Sequence, residues 1–192
     1  WTSFSGRFPE RRSNLQGALI VRWMWIDTIT AFEEGSRMHA VKNLSLAEEH
    51  LHDHFDGSDG LEPFAVMPGS LIVEGMAQTS GILVGSVNRF REKVVLAKIS
   101  RVELDAEAVP GQCLRYEAEI ERIDAGGAST RGVVRRLDHA EGDWREIGRI
   151  DLIFSHIDNN VGGREFPKEN FVFSDNFRQI LVAAGLDRLI DD

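Results

Sequence analysis

An α+β fold, with an antiparallel sheet wrapped around one long central helix and a C-terminal appendage, follows from three observations on this 192-residue sequence. One apolar stretch over residues 70–91 carries helical spacing. Four strand-like runs follow it in close succession, and two more, joined by a turn, precede it. A helix that is apolar on most faces needs cover, and a sheet curled around it supplies that cover.

Taken in order, residues 1–17 carry Arg7, Arg11 and Arg12 among polar residues and Pro9, which suggests a peripheral arm. Leu19 to Phe32 is rich in β-branched and aromatic residues, Glu33-Glu34-Gly35-Ser36 supplies turn chemistry, and a second strand is expected through Asn43. Trp23 and Trp25 alternate along the first strand and read as core or interface packing. The central helix is expected from Ser70 to Arg91, after Met67-Pro68-Gly69, because Ile72, Met76, Leu83, Val87 and Phe90 recur at steps of three, four or seven. Gly75, Ala77, Gly81 and Gly85 would let neighbouring backbones approach, and Arg89, Arg91 and Lys93 would complement the dipole at its end.

Strands are then expected at Val94–Leu104, Cys113–Ile123, Ser129–Leu137 and Trp144–Ile157. In the second, Leu114, Tyr116, Ala118 and Ile120 alternate with Arg115, Glu117, Glu119 and Glu121, the mark of a sheet with one wet face. Turns at 109–111, 124–127 and 138–142 make the four an antiparallel meander. Residues 159–164 read as a linker, and Asp175 to Leu189 has helical spacing. The expected organisation is an arm at 1–17, one domain at 18–158, and a linker with a C-terminal helix at 159–192.

Composition narrows the function. With 42% hydrophobic and 28% charged residues the chain is that of an ordinary globular protein, able to bury roughly 70% of its unfolded surface. Thirty-one acidic against 22 basic residues give a net charge of −9, which opposes nucleic acids and anionic membranes as partners. Leu71 to Val87 approaches membrane-span length, but Glu74, Gln78, Thr79, Ser80 and three glycines interrupt it, so a buried helix is expected in place of a span. The single cysteine, Cys113, allows no internal disulfide and fits a reducing, cytoplasmic compartment. The first residues, Trp1 to Arg7, show no secretory signal in the sequence as given.

Three blocks carry a resemblance. Val41-Lys42-Asn43-Leu44 through His54-Phe55-Asp56-Gly57, then Val66-Met67-Pro68-Gly69-Ser70-Leu71-Ile72-Val73-Glu74-Gly75-Met76-Ala77-Gln78, and Ala108-Val109-Pro110-Gly111-Gln112-Cys113-Leu114, together resemble the hotdog-fold 3-hydroxyacyl-acyl-carrier-protein dehydratases over roughly residues 20–157. The resemblance implies a hotdog fold, a homodimer or higher homo-oligomer, and a catalytic pair formed across subunits. It matches His54 to the family's histidine, Glu74 to its acid, Gly69 to the helix-start glycine whose N–H holds the thioester carbonyl, and Gln78 to the residue one turn beyond the acid. Phe55, Met67, Pro68 and Phe64 are then expected against the substrate, which is an acyl chain on acyl carrier protein or a related thioester. No cofactor and no metal is implied.

The chemistry of these residue types is coherent by itself. Elimination of water from a 3-hydroxyacyl thioester needs a base, an acid for the departing hydroxyl, and stabilisation of an enolate-like oxygen. Histidine, with an ordinary pKa near 6.5, suits the base, whereas a glutamate, ordinarily near 4.3, must be raised by burial among Ile72, Val73 and Met76 to serve as the acid. The helix N-terminus with the Gly69 N–H favours negative charge on the carbonyl oxygen.

Other readings stay open. Glu74 could be a structural carboxylate. His50, His52 and His54 would share one face of a strand and could bind a metal, although the run lacks one residue of the His-x-His-x-Asp-His pattern. Arg89, Arg91, Lys93, Lys98 and Arg101 could meet an acidic carrier protein. Asp56 replaces the family's proline, and nine residues, Ser58 to Val66, stand where the family has three. Leu61, Phe64 and Val66 within this insertion are expected to form an ordered lid over the acyl tunnel. Alternatives to the dehydratase are a hotdog acyl thioesterase and a non-catalytic subunit of a heterodimer.

Overall fold

The computed structural model describes residues 24–52, 57, 60, 62–157, 160–161, 164–165 and 175–190. Six strands form one antiparallel sheet: β1 (Thr28–Glu33), β2 (Arg37–Asn43), β3 (Lys93–Leu104), β4 (Gln112–Asp124), β5 (Gly127–Asp138) and β6 (Trp144–Ile157), in the order β1-β2-β4-β5-β6-β3. The period-two pattern of β4 decides which face turns inward. Leu114, Tyr116 and Ala118 are fully buried and Arg115, Glu117 and Glu119 point away. The central helix α2 (Gly69–Val87) lies on that inner face, with twelve of its residues buried. It is the described helix long and apolar enough to cross a membrane, and 67% of its apolar window is buried inside the protein.

Two glycines set how closely helix and sheet approach. A Cβ on Gly75 would stand 2.4 Å from the Tyr116 ring, and one on Gly132 of β5 would stand 2.5 Å from Met76 Sδ and 2.6 Å from the Ile150 carbonyl. Any side chain at either position would push α2 off the sheet. The pairing of β1 with β2 and the run β4-β5-β6 follow the expectation from the sequence, but the expected four-strand meander does not hold: the chain crosses over through α2 so that β3 pairs with β6 at the far edge, and β2 takes the place beside β4. Several boundaries differ as well.

The first strand begins at Thr28, not Leu19: residues 19–23 lie outside the described set, and Met24–Asp27 form a lead-in tied to β2 by the Asp27 N–H on the Val41 carbonyl at 2.7 Å. The Asp27 carboxylate accepts the Asn43 N–H at 2.7 Å, taking a donor that a strand partner would otherwise use. The helix stops at Val87, four residues early, because Arg89 and Phe90 adopt left-handed backbone (φ 49° and 55°) and the Phe90 N–H closes on the Gly85 carbonyl at 2.8 Å. No basic residue therefore stands in its last turn, and Lys93 is a buried strand residue.

The His run holds a further correction. Glu49–His52 form a short helix, α1, not a strand. Ser45 and Glu48 open this segment, the Ser45 N–H donating to Glu48 Oε2 at 3.3 Å and the Ala47 N–H to Ser45 Oγ at 3.1 Å, while Leu51 enters the core. Positions two apart on a helix do not share a face, so His50 and His52 do not form the strand-face pair a metal reading required. The expected linker carries a small ladder, β7 (Asn160–Val161) with β8 (Arg164–Glu165). Beyond it α3 (Asp175–Ala183) and a 3-10 turn (Asp187–Leu189) place Leu181, Leu186 and Leu189 in the same hydrophobic cluster as the sheet and α2.

Candidate active site

The helix α2 starts at Gly69 because Pro68, held extended (φ −55°, ψ 134°), ends the preceding segment. Met67 just before it is anchored by its own N–H on the Ala108 carbonyl at 2.8 Å. No side chain caps the helix. Leu71 and Ile72 donate to the Pro68 carbonyl, which leaves the Gly69 and Ser70 N–H groups without an acceptor inside the helix. Gly69 is exposed, and it lines a cleft of about 220 Å³ with Met67, Ile72, Leu104, Asp105, Ala106 and Glu107. A Cβ at Gly69 would stand 3.2 Å from Leu104 Cδ1, so the glycine also keeps this cleft open.

Glu74 lies five residues further, about 7.5 Å along the axis at 1.5 Å per residue. Its carboxylate is half-buried and accepts a hydrogen bond from Gln78 Nε2 at 2.9 Å. Gln78 is buried and fixed from the other side, its Oε1 accepting the main-chain N–H of Trp25 at 2.9 Å. A glutamine amide has one acceptor end and one donor end. With Oε1 committed to Trp25, the amide can present only its NH₂ to Glu74.

The remaining expected site residues divide. Met67 is buried at the cleft, Pro68 is half-buried just before the helix and does not line the cleft, and Phe64 is 44% exposed. Val66 of the expected lid is buried. His54 and Phe55 lie outside the described residues, as do Ser58, Asp59 and Leu61 of the insertion. Among the described residues no group of His, Cys, Asp and Glu is placed to hold a metal. Tyr116, packed on Gly75, has its hydroxyl buried without a partner, and burial pushes its pKa well above the ordinary tyrosine range, with the charge of Asp27 adding to the effect. It stays neutral.

Two contributors escaped the sequence. Leu104, Asp105 and Ala106 line the cleft from the β3 end, brought there only by the crossover of the chain. Trp25 acts through its main-chain N–H, a group every residue but proline carries, so no pattern marks it.

Known proteins resemble this chain in sequence and in fold. Residues 22–139 match the family model described as a FabA-like domain. The 3-hydroxyacyl-[acyl-carrier-protein] dehydratase FabZ of Listeria monocytogenes serotype 4b is 36% identical over 137 residues, 71% of this chain and 87% of that protein. The FabZ of Pelotomaculum thermopropionicum is 32% identical over 111 residues, 57% and 75% of the two chains. Among solved structures, a thioesterase family protein from Silicibacter pomeroyi superposes with a TM-score of 0.53 at 12% identity, covering 67% of this chain and 82% of its own. An acyl-CoA hydrolase from Agrobacterium tumefaciens gives 0.52 at 13% identity, covering 69% and 47%. At such identities these structures speak to the fold.

Proposed function

The chain belongs to the FabA-like 3-hydroxyacyl-[acyl-carrier-protein] dehydratase family, and on that premise we propose that it eliminates water from 3-hydroxyacyl thioesters to give trans-2-enoyl thioesters in fatty-acid or related lipid biosynthesis. The observation that carries this reading is the Glu74–Gln78 pair on the second and third turns of a helix whose N-terminus opens on a cleft. In the proposed reaction the thioester carbonyl accepts the Gly69 N–H, His54 takes the proton from the carbon next to the carbonyl, and Glu74 protonates the departing hydroxyl. The carbon–carbon double bond forms as water leaves. Gln78 orients Glu74. Met67, Pro68, Phe55 and Phe64 border the acyl chain.

The carrier is proposed to be acyl carrier protein, with coenzyme A as the other possible thiol. Exposed Arg89, Arg91 and Lys98 are the cations available to an acidic carrier, since Lys93 is buried and Arg101 pairs with Glu103. A homodimer is supported by β3, a twelve-residue strand at the end of the sheet order that exposes Leu96, Ile99 and Val102. Residues 18–158 would form the catalytic unit, in the cytoplasm.

The test is His54→Ala and Glu74→Gln. Each is expected to lower turnover by about 10²–10⁴-fold while leaving the melting curve in place. Losses below tenfold in both would remove the pair from the mechanism.

A further inference from the structure

Trp25 joins the candidate site to the α1 segment. Its main-chain N–H fixes Gln78, and its indole meets the His50 ring edge to face, with centroids 4.9 Å apart and planes at 80°. The lead-in it belongs to is held a second time at Asp27. The buried Lys42 ammonium of β2 reaches Asp27 Oδ1 at 3.1 Å and Glu48 Oε1 at 2.5 Å, so it spans the lead-in and the residue preceding α1. Burial by itself would lower the Lys42 pKa, but the hydrogen bonds and charges of Glu48 and Asp27 outweigh it and hold the ammonium above its ordinary value.

We propose that the lead-in Trp25–Asp27, clamped against the α1 segment by His50 and Lys42, is the element that keeps Gln78 and through it Glu74 in working position. Trp25, His50 and Lys42 are then positioning residues that touch no reacting atom. This rests on the reading of Glu74 as the catalytic acid. The physical reason is the two-ended amide. The Trp25 N–H on Oε1 turns the Gln78 NH₂ toward Glu74, and an N–H···O bond of 2.9 Å is lost when its donor moves by an ångström. A displacement of that size near a reacting group is enough to cost up to 10²-fold in rate. His50 thereby has a role through its ring contact with the indole.

The experiment compares His50→Ala with His50→Phe. The alanine variant is expected to lower kcat by about tenfold with KM within about twofold, and the phenylalanine variant, whose ring again meets the indole, to return kcat to within about twofold of the unmodified protein. His50→Leu, which fills the space without a ring, replaces the alanine variant should that fail to fold, with the same expectation. Equal losses in the ring and ringless variants would overturn the proposal, as would full activity in the ringless one. The side-chain amide resonances of Gln78 give a readout that needs no turnover: shifted in the ringless variant, retained in His50→Phe. A protein without dehydratase activity but with that pattern refutes the reading of the reaction and not the clamp. Unshifted Gln78 resonances in the ringless variant refute the clamp.

Discussion

On the outer face of β4, β5 and β6, charge is answered by charge several times over. Glu117 pairs with Arg115 at 2.6 Å and with Arg135 at 3.1 Å, Arg135 also reaches Glu146 at 3.9 Å, Arg149 meets Glu146 at 2.7 Å, and the Arg115 guanidinium lies 4.5 Å over the Trp144 ring. On the inner face, between the same strands and α2, stand Tyr116, Val134 and Ile150, fully buried, while α2 itself carries Glu74, which among the described residues accepts from Gln78. The difference lies in redundancy. Glu117, Arg135 and Glu146 each have two partners and Arg149 is exposed, so removing one neighbour strands none of these four, and the exposed pairs are individually weak. The Glu74 carboxylate and the Gln78 amide have partners held in place by close packing, while the buried Tyr116 hydroxyl has none among the described residues.

The sharpest break of this contrast is Gly75→Ala, because the Tyr116 ring stands where the new methyl would go. A loss of about 1–3 kcal/mol in unfolding free energy is expected from urea titration. Gly81→Ala is the control: a methyl there meets only Phe154 at 3.6 Å, an ordinary contact, so it should change stability little or raise it by up to about 1 kcal/mol through helix propensity. Similar losses in both variants would show that the close approach at Gly75 is not what limits the packing.

Next in size is Gln78→Ala, which strips the donor from Glu74 and leaves the buried Trp25 N–H unsatisfied. About a tenfold fall in turnover is expected, with about 1–3 kcal/mol of lost stability. Turnover unchanged beside lost stability would reduce Gln78 to a structural residue. The smallest effect belongs outside. Glu146→Gln should cost less than about 1 kcal/mol, and less again in high salt. A larger, salt-independent cost would place that network among the rigid elements of the fold.

What was legible in the sequence follows the same division. The alternation of β4 and the apolar recurrence of α2 are periodic, so the two layers can be read directly, whereas the pairing of β3 with β6 joins strands that are not neighbours in sequence and no local pattern marks it. Glu74 and Gln78, one turn apart on an apolar helix behind Met-Pro-Gly, stand out because polar residues in a buried helix need a partner. The end of α2 was misread because left-handed backbone at Arg89 and Phe90 carries no glycine to announce it. The alternation of His50 with His52 imitated a strand, although Ser45 and Glu48 three residues apart already marked a helix start. The lead-in at Trp25–Asp27 was hidden for another reason: its hydrogen bonds run through main-chain groups and through residues more than ten positions away.

The reaction itself offers the most direct measurement. The unmodified protein is incubated with 3-hydroxyacyl thioesters carried on acyl carrier protein and on coenzyme A, and the enoyl absorbance and the free thiol are followed in the same sample. Elimination predicts enoyl product with the thioester intact and no thiol released. Thiol release without enoyl product would make the protein a thioesterase, and neither signal with any chain length or carrier would contradict the catalytic assignment altogether.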